Sequence, residues 1–98
     1  MPGDSSRAAA PRAFVLTGSW PEAALAEHHG ARVAQVLARR LAAAMKASGL
    51  SANRLADSSG VNRQTIANVL AGSSWPDLLT IANLEIALEA DLWPGRGA

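Results

Sequence analysis

The sequence predicts an all-α fold. Of its 98 residues 22 are Ala, the best helix former, and strand formers are almost absent. The third observation is the stretch Leu50 to Gly72, where apolar residues recur at helical phase on both sides of a central Gly. Leu55 and Ala56 precede that Gly60, and Val61, Ile66 and Val69 follow it. Ala56 allows two helices to cross closely. Gly60 supplies a turn whose positive φ costs Gly nothing. Val61 and Ile66 point back into a small core. This is the pattern of a helix-turn-helix, two helices joined by a short turn, the second of which can enter a DNA major groove.

The hydrophobic fraction of 49% overstates the core, because so much of it is Ala. One small domain with arms fits the length, and a partner subunit would add stability. There is no Cys, which excludes a disulfide framework, a thiolate zinc site and a thiol nucleophile. A reducing, cytoplasmic setting is expected. No apolar run approaches the roughly 20 residues of a membrane span. The run Ala13 to Leu16 is too short for a signal-peptide core. Net charge is only +1, a weak electrostatic footprint for a nucleic-acid binder. Its distribution is more telling. The bases Arg32, Arg39, Arg40, Lys46, Arg54 and Arg63 lie in or before the helix-turn-helix, and Glu85, Glu89 and Asp91 gather after it.

Residues 1–12 lack periodicity and are read as a mobile tail. Residues 13–30 form an N-terminal arm. Its Ala13–Thr17 run is strand-like, and a lone strand needs a partner. Either it packs on the helices, or it pairs with the same arm of a second subunit; the second option is preferred. Trp20-Pro21-Glu22 reads as a helix start, with Pro in the first turn, and that helix is expected to reach His28. Gly30 then bends or weakens the chain. Ala31–Ser48 is a long helix with Val33, Val36, Leu37, Leu41, Ala44 and Met45 on one face, stopped by Gly49. Ser51 caps Ala52–Ser58, and Asn62 caps Arg63–Ala71, which Gly72 ends. Asp77 caps a last helix with Leu78, Ile81, Leu84, Ile86 and Leu88 as its apolar members. Residues 31–94 are thus the helix-turn-helix domain and 95–98 a frayed tail.

From Leu41 to Trp93 the chain resembles the Cro/phage-repressor helix-turn-helix family, often called XRE-type. Gly49-Leu50-Ser51, Leu55-Ala56, Gly60-Val61, Ile66, Gly72, Pro76, Leu78, Ile81-Ala82 and Leu88 carry the resemblance. Trp75-Pro76-Asp77-Leu78 and Leu92-Trp93-Pro94 are similar to segments of small actinobacterial regulators. The resemblance implies a compact lambda-repressor-like bundle of five helices, double-stranded DNA as partner, a homodimer, and no catalysis or cofactor. Three departures stand out. Ala52 occupies a position where members often carry a phosphate-binding Gln. Met45 and Leu70 occupy the positions of a buried Arg–Glu pair. Pro94-Gly95 falls where many members begin a fifth helix that builds the dimer. The arm residues Phe14, Val15, Leu16 and Trp20 are the remaining candidates for dimerisation.

With Ile66, Val69 and Leu70 inward, a rotation of about 100° per residue puts Gln64 and Asn68 outward, one turn apart. Arg63 and Thr65 flank them, and Asn62 opens the helix. Gln and Asn can bond adenine N6 and N7 bidentately, Arg can bond guanine O6 and N7, and the Thr methyl can meet thymine. Asn62, Arg63, Gln64, Thr65 and Asn68 are therefore the candidate base contacts. Ser51, Asn53, Arg54, Ser73 and Ser74 sit at helix starts or in the following loop and are candidate phosphate contacts. For Ser51 a plain capping role ranks first. Adjacent His28 and His29 point apart on a helix and suit a surface or linker role better than a metal. Trp75-Pro76 and Trp93-Pro94 read as loop anchors. No phosphate loop, nucleophile elbow or carboxylate pair suggests catalysis. The reading is a sequence-specific DNA-binding regulator, homodimeric, cytoplasmic and on the nucleoid when bound. The rival is an antitoxin-like or adaptor module that uses the same fold to bind a protein partner.

Overall fold

Four α-helices form the body of the computed structural model, which describes residues 9–98. They are α1 His29–Ser48, α2 Ala52–Ser59, α3 Arg63–Ala71 and α4 Leu78–Leu88. Ahead of them a 3-10 turn, Pro11–Phe14, leads into two short strands, β1 Val15–Thr17 and β2 Ala24–Leu25. A second 3-10 turn, Gly95–Gly97, follows α4.

Each helix start is set locally. Ser51 Oγ accepts from Arg54 N, Asn62 Oδ1 from Gln64 N, and Asp77 Oδ1 from Thr80 N. These satisfy first-turn N–H groups that have no partner within the helix. The first three helices end at Gly49, Gly60 and Gly72 in the left-handed conformation, and α4 ends at Glu89 in the same conformation, φ 50°. Leu37, Leu41, Leu55, Val61, Ile66, Val69, Ile81, Leu84 and Leu92 make one buried cluster drawn from all four helices. Met45 and Leu70 pack against it from the side.

The arm departs from expectation. No helix forms between Trp20 and His28, so there are four α-helices and not five. A stretch this short is marginal as a helix, and tertiary contacts claim it instead. Gln35 Nε2 donates to the Ala23 carbonyl at 2.7 Å, and Trp20 Nε1 donates to the Leu70 carbonyl at 3.2 Å. The Ala13–Thr17 run finds its partner within its own chain. β1 pairs antiparallel with β2 in an irregular register, Val15 opposite Leu25 and Thr17 opposite Ala24, and Ala26 N donates to Phe14 O. The ladder expected from a second subunit is thus supplied by residues a few positions on.

Helix α1 begins at His29, two residues earlier than expected, because His28 Nδ1 accepts from Ala31 N at 3.0 Å. Gly30 lies in its first turn and does not interrupt it. A Cβ there would sit 3.1 Å from the His28 ring. The buried face of α1 is narrower than the apolar pattern suggested: Ala31, Ala34, Ala38 and Gln35 are buried with Leu37 and Leu41, while Val33, Val36, Ala44 and Met45 are half-buried. Of the apolar members of α4, Ile81 and Leu84 are buried, while Leu78 and Ile86 point outward. Residues 1–8 of the expected tail lie outside the described residues. Ala9 to Arg12 are held, with Pro11 buried and Arg12 N donating to Gly72 O at 2.9 Å.

Candidate nucleic-acid interface

The turn between α2 and α3 is fixed by three contacts. Gly60 N donates to Ala56 O, Val61 N donates to Ser59 Oγ at 3.1 Å, and Val61 itself is buried. Gly60 has φ 75° and open space where a Cβ would be, so its backbone conformation and not crowding calls for Gly. Leu55 and Ile66 are fully buried on either side, which locks the two helices at one crossing. Burial of Ile66 sets the rotation of α3 and thereby decides which residues face out.

Asn62, Arg63 and Gln64 are exposed, and Thr65, Ala67 and Asn68 are half-buried. Gln64 Nε2 donates to Asn68 Oδ1 at 3.0 Å. This i to i+4 bond lines up the two amides along the helix. It leaves Gln64 Oε1, the second Nε2 hydrogen and the Asn68 amide N–H groups for an outside partner. Gln64 therefore keeps the acceptor–donor pair that adenine requires, now held in one orientation. Arg63 stands beside it at the helix start, where the dipole is positive. Among the described residues, the ion pair formed is Arg39–Glu22, at 3.8 Å and away from this face. Arg54 and Arg63 have no acidic partner among those residues and keep their charge for a ligand.

Ser51, Asn53 and Arg54 are exposed at the start of α2, with the remainder of that helix and the Gly60 turn between them and α3. Ser51 Oγ is occupied as a cap, as its first-ranked role has it. Ser73 and Ser74 are half-buried past the far end of α3, roughly 15 Å from Asn62 by helix rise. Ser73 donates to Asn68 O through both its N and Oγ, closing the helix end. Ser74 lines a cleft with Ala9, Ala10, Trp75 and Asp77. The base-contact candidates are thus brought together on one helix, and the phosphate candidates fall into two groups, one at the start of α2 and one past the C-terminal end of α3.

The residue pattern along Leu41–Leu92 and this geometry agree with a known family model. The model described as helix-turn-helix matches residues 41–92, just over half of the chain. The chain belongs to the helix-turn-helix family of Cro and the phage repressors. Comparison with curated proteins and with solved structures gave no match. The family is one of DNA-binding transcription regulators and is not enzymatic. In this helix-turn-helix protein, no helix of the described residues is long and apolar enough to cross a membrane. Those residues also hold no group of three or more metal-ligating side chains.

The helix-turn-helix of this protein has supports that sequence reasoning missed. Trp20 and Arg12 both reach the C-terminal end of α3, taking the Leu70 and Gly72 carbonyls. Trp75, just after α3, donates to Ala9 O at 2.8 Å. His28 lies between Phe14 and Trp75, with ring centroids 4.0 and 5.9 Å away. The arm thus buttresses α3 at its C-terminal end. Of the residues expected to dimerise, Phe14 and Trp20 are committed within their own chain. Val15 is half-buried, and Leu16 is 68% exposed. Glu85 was missed too. Its carboxylate accepts from Leu92 N at 2.8 Å and Trp93 N at 3.0 Å, which holds Leu92 in the core.

Proposed function

We propose that the protein is a sequence-specific transcriptional regulator that lays α3 in the major groove. Asn62, Arg63, Gln64, Thr65 and Asn68 read bases, and Ser51, Asn53, Arg54, Ser73 and Ser74 meet phosphates on either side. It acts as a homodimer on half-sites about one helical turn, ~34 Å, apart. It works in the cytoplasm, on the nucleoid when bound. The observation that carries this reading is the aligned Gln64–Asn68 amide pair beside Arg63, which has no acidic partner among the described residues, on the outward face of α3.

Binding of genomic fragments, followed by gel shift, tests it. Gln64→Ala and Asn68→Ala should each weaken the best fragment about tenfold or more, since a bidentate base contact is worth roughly 1–3 kcal/mol. Equal binding by wild type and both variants removes the pair from the readout. A second reading, an antitoxin-like or adaptor module with a protein partner, is favoured by the net charge of +1. Salt separates the two. Affinity resting on phosphates falls steeply as salt rises, whereas affinity resting on an apolar interface does not.

A further inference from the structure

Helix α4 has two apolar faces. At about 100° per residue, Ile81, Leu84 and Leu88 turn toward the core and Leu78, Leu79, Ala82 and Ile86 turn away from it. Leu78 and Ile86 are each 81% exposed and Leu79 is 69% exposed. Trp93, 55% exposed, stands across a groove of about 360 Å³ from Leu78 and Ala82. The one charged residue within α4 is Glu85, and its carboxylate already serves Leu92 and Trp93. A helix apolar all round belongs in an interior. Beside the groove a wider apolar cleft of about 450 Å³, lined in part by Val33, Trp75 and Pro76, shares Ile81 and Trp93 with it. The bare surface is therefore a continuous patch, of the kind that marks an interaction site.

We propose that this stripe is where two copies of the chain meet, α4 against α4, about a two-fold axis near Ala82. The proposal rests on the homodimeric regulator above and locates its second copy. Three features select a second copy as the occupant. The side chains of the stripe are uncharged, and the one carboxylate lining its groove, Glu85, is engaged by the Leu92 and Trp93 N–H groups, so a charged partner gains little there while a copy of the same stripe matches it. Leu78, Ala82 and Ile86 form one i, i+4 ridge, and such ridges interdigitate with each other. The small Ala82 at its centre lets the helix axes approach to about 8–10 Å. Finally, an isologous contact buries every side chain twice. Leu78, Leu79, Ile86 and Trp93 from both copies amount to roughly 1,000 Å², the lower limit of a specific interface.

Sedimentation of the full chain without DNA tests the interface. The wild type should sediment at twice its 10.1 kDa mass. Ile86→Glu and Ala82→Arg should weaken self-association about a hundredfold or more, by placing unpaired charge in the contact. Their helical circular dichroism should be unchanged, because both positions face solvent in one copy. Leu16→Glu, on the arm, should leave the dimer intact. The chain has no Cys, so Ala82→Cys should give a disulfide-linked dimer under mild oxidation and Leu16→Cys should not. A monomeric wild type, a dimer that survives Ile86→Glu, or one that Leu16→Glu breaks would each overturn the proposal. A monomer that still binds DNA through Gln64 sinks the interface alone. A dimer sensitive to Ile86→Glu that binds no DNA sinks the regulator reading alone.

Discussion

Asn62 has one duty in the fold and a second one proposed, and one substitution separates them. Its Oδ1 caps α3 through Gln64 N at 2.7 Å, and the proposed docking brings its position at the helix start near the groove. Asp is as good a cap and adds a favourable interaction with the helix dipole, but it repels phosphate. Asn62→Asp should therefore keep or raise the unfolding midpoint in urea while weakening DNA binding; a parallel loss of both would mean that Asn62 is structural only. Glu85 makes a different statement. The N–H groups of Trp93 and Leu92 hold its pKa below the ordinary 4.5. A lowered folded pKa means that its contribution is complete above the unfolded value and fades as pH falls through the folded one. Stability should thus drop as pH goes below the ordinary glutamate range, with release of the Leu92–Trp93 segment, read by Trp fluorescence. Glu85→Gln should flatten that part of the pH profile. Ile66, fully buried, sets the rotation of α3, and Ile66→Ala should cost about 2–5 kcal/mol in urea unfolding.

At the scale of elements, the helix-turn-helix was legible because its signals are local. Ser51, Asn62 and Asp77 cap as read, and Gly49, Gly60 and Gly72 end helices as read, since each works through neighbours a few positions away. The Trp20–His28 stretch was misread for the opposite reason. Its fate is decided by Gln35 and Leu70, 12 and 50 residues off, and nothing in the stretch announces them. Periodicity likewise found the apolar residues of α4 but could not say that two faces shared them. The same contrast separates two glycines. Gly60 has open space about it, whereas a Cβ on Gly72 would fall inside the Trp20 indole. Gly60→Ala should cost about 1–2 kcal/mol from left-handed strain alone. Gly72→Ala should cost about 2–4 kcal/mol, strain and overpacking together, and Trp20→Ala in the same chain should return part of it.

For the molecule as a whole, α3 is held from two directions, by the core beneath Ile66 and by the arm over Gly72. The candidate base contacts could be read from sequence because one helix carries them all. The arm's bracing could not, because Arg12, Trp20 and Ala9 reach α3 and its loop only through the tertiary fold. Arg54 and Arg63 are the bases on the two helices of the proposed DNA-binding motif. The slope of log Kd against log salt should accordingly be roughly 2 per copy, against a slope near zero for an apolar protein interface. The arm's hydrogen bonds span long sequence distances, 50 residues for Trp20 to Leu70, 60 for Arg12 to Gly72 and 66 for Trp75 to Ala9. Such loops are entropically costly to close, whereas the helices from His29 onward each form through local bonds and are joined by short turns. Folding should then proceed in order, with the helical body first and the amino-terminal segment fastening last. The same segment should be first to open, and hydrogen exchange should find the amides of β1 and β2 trading with solvent well before those around Leu41.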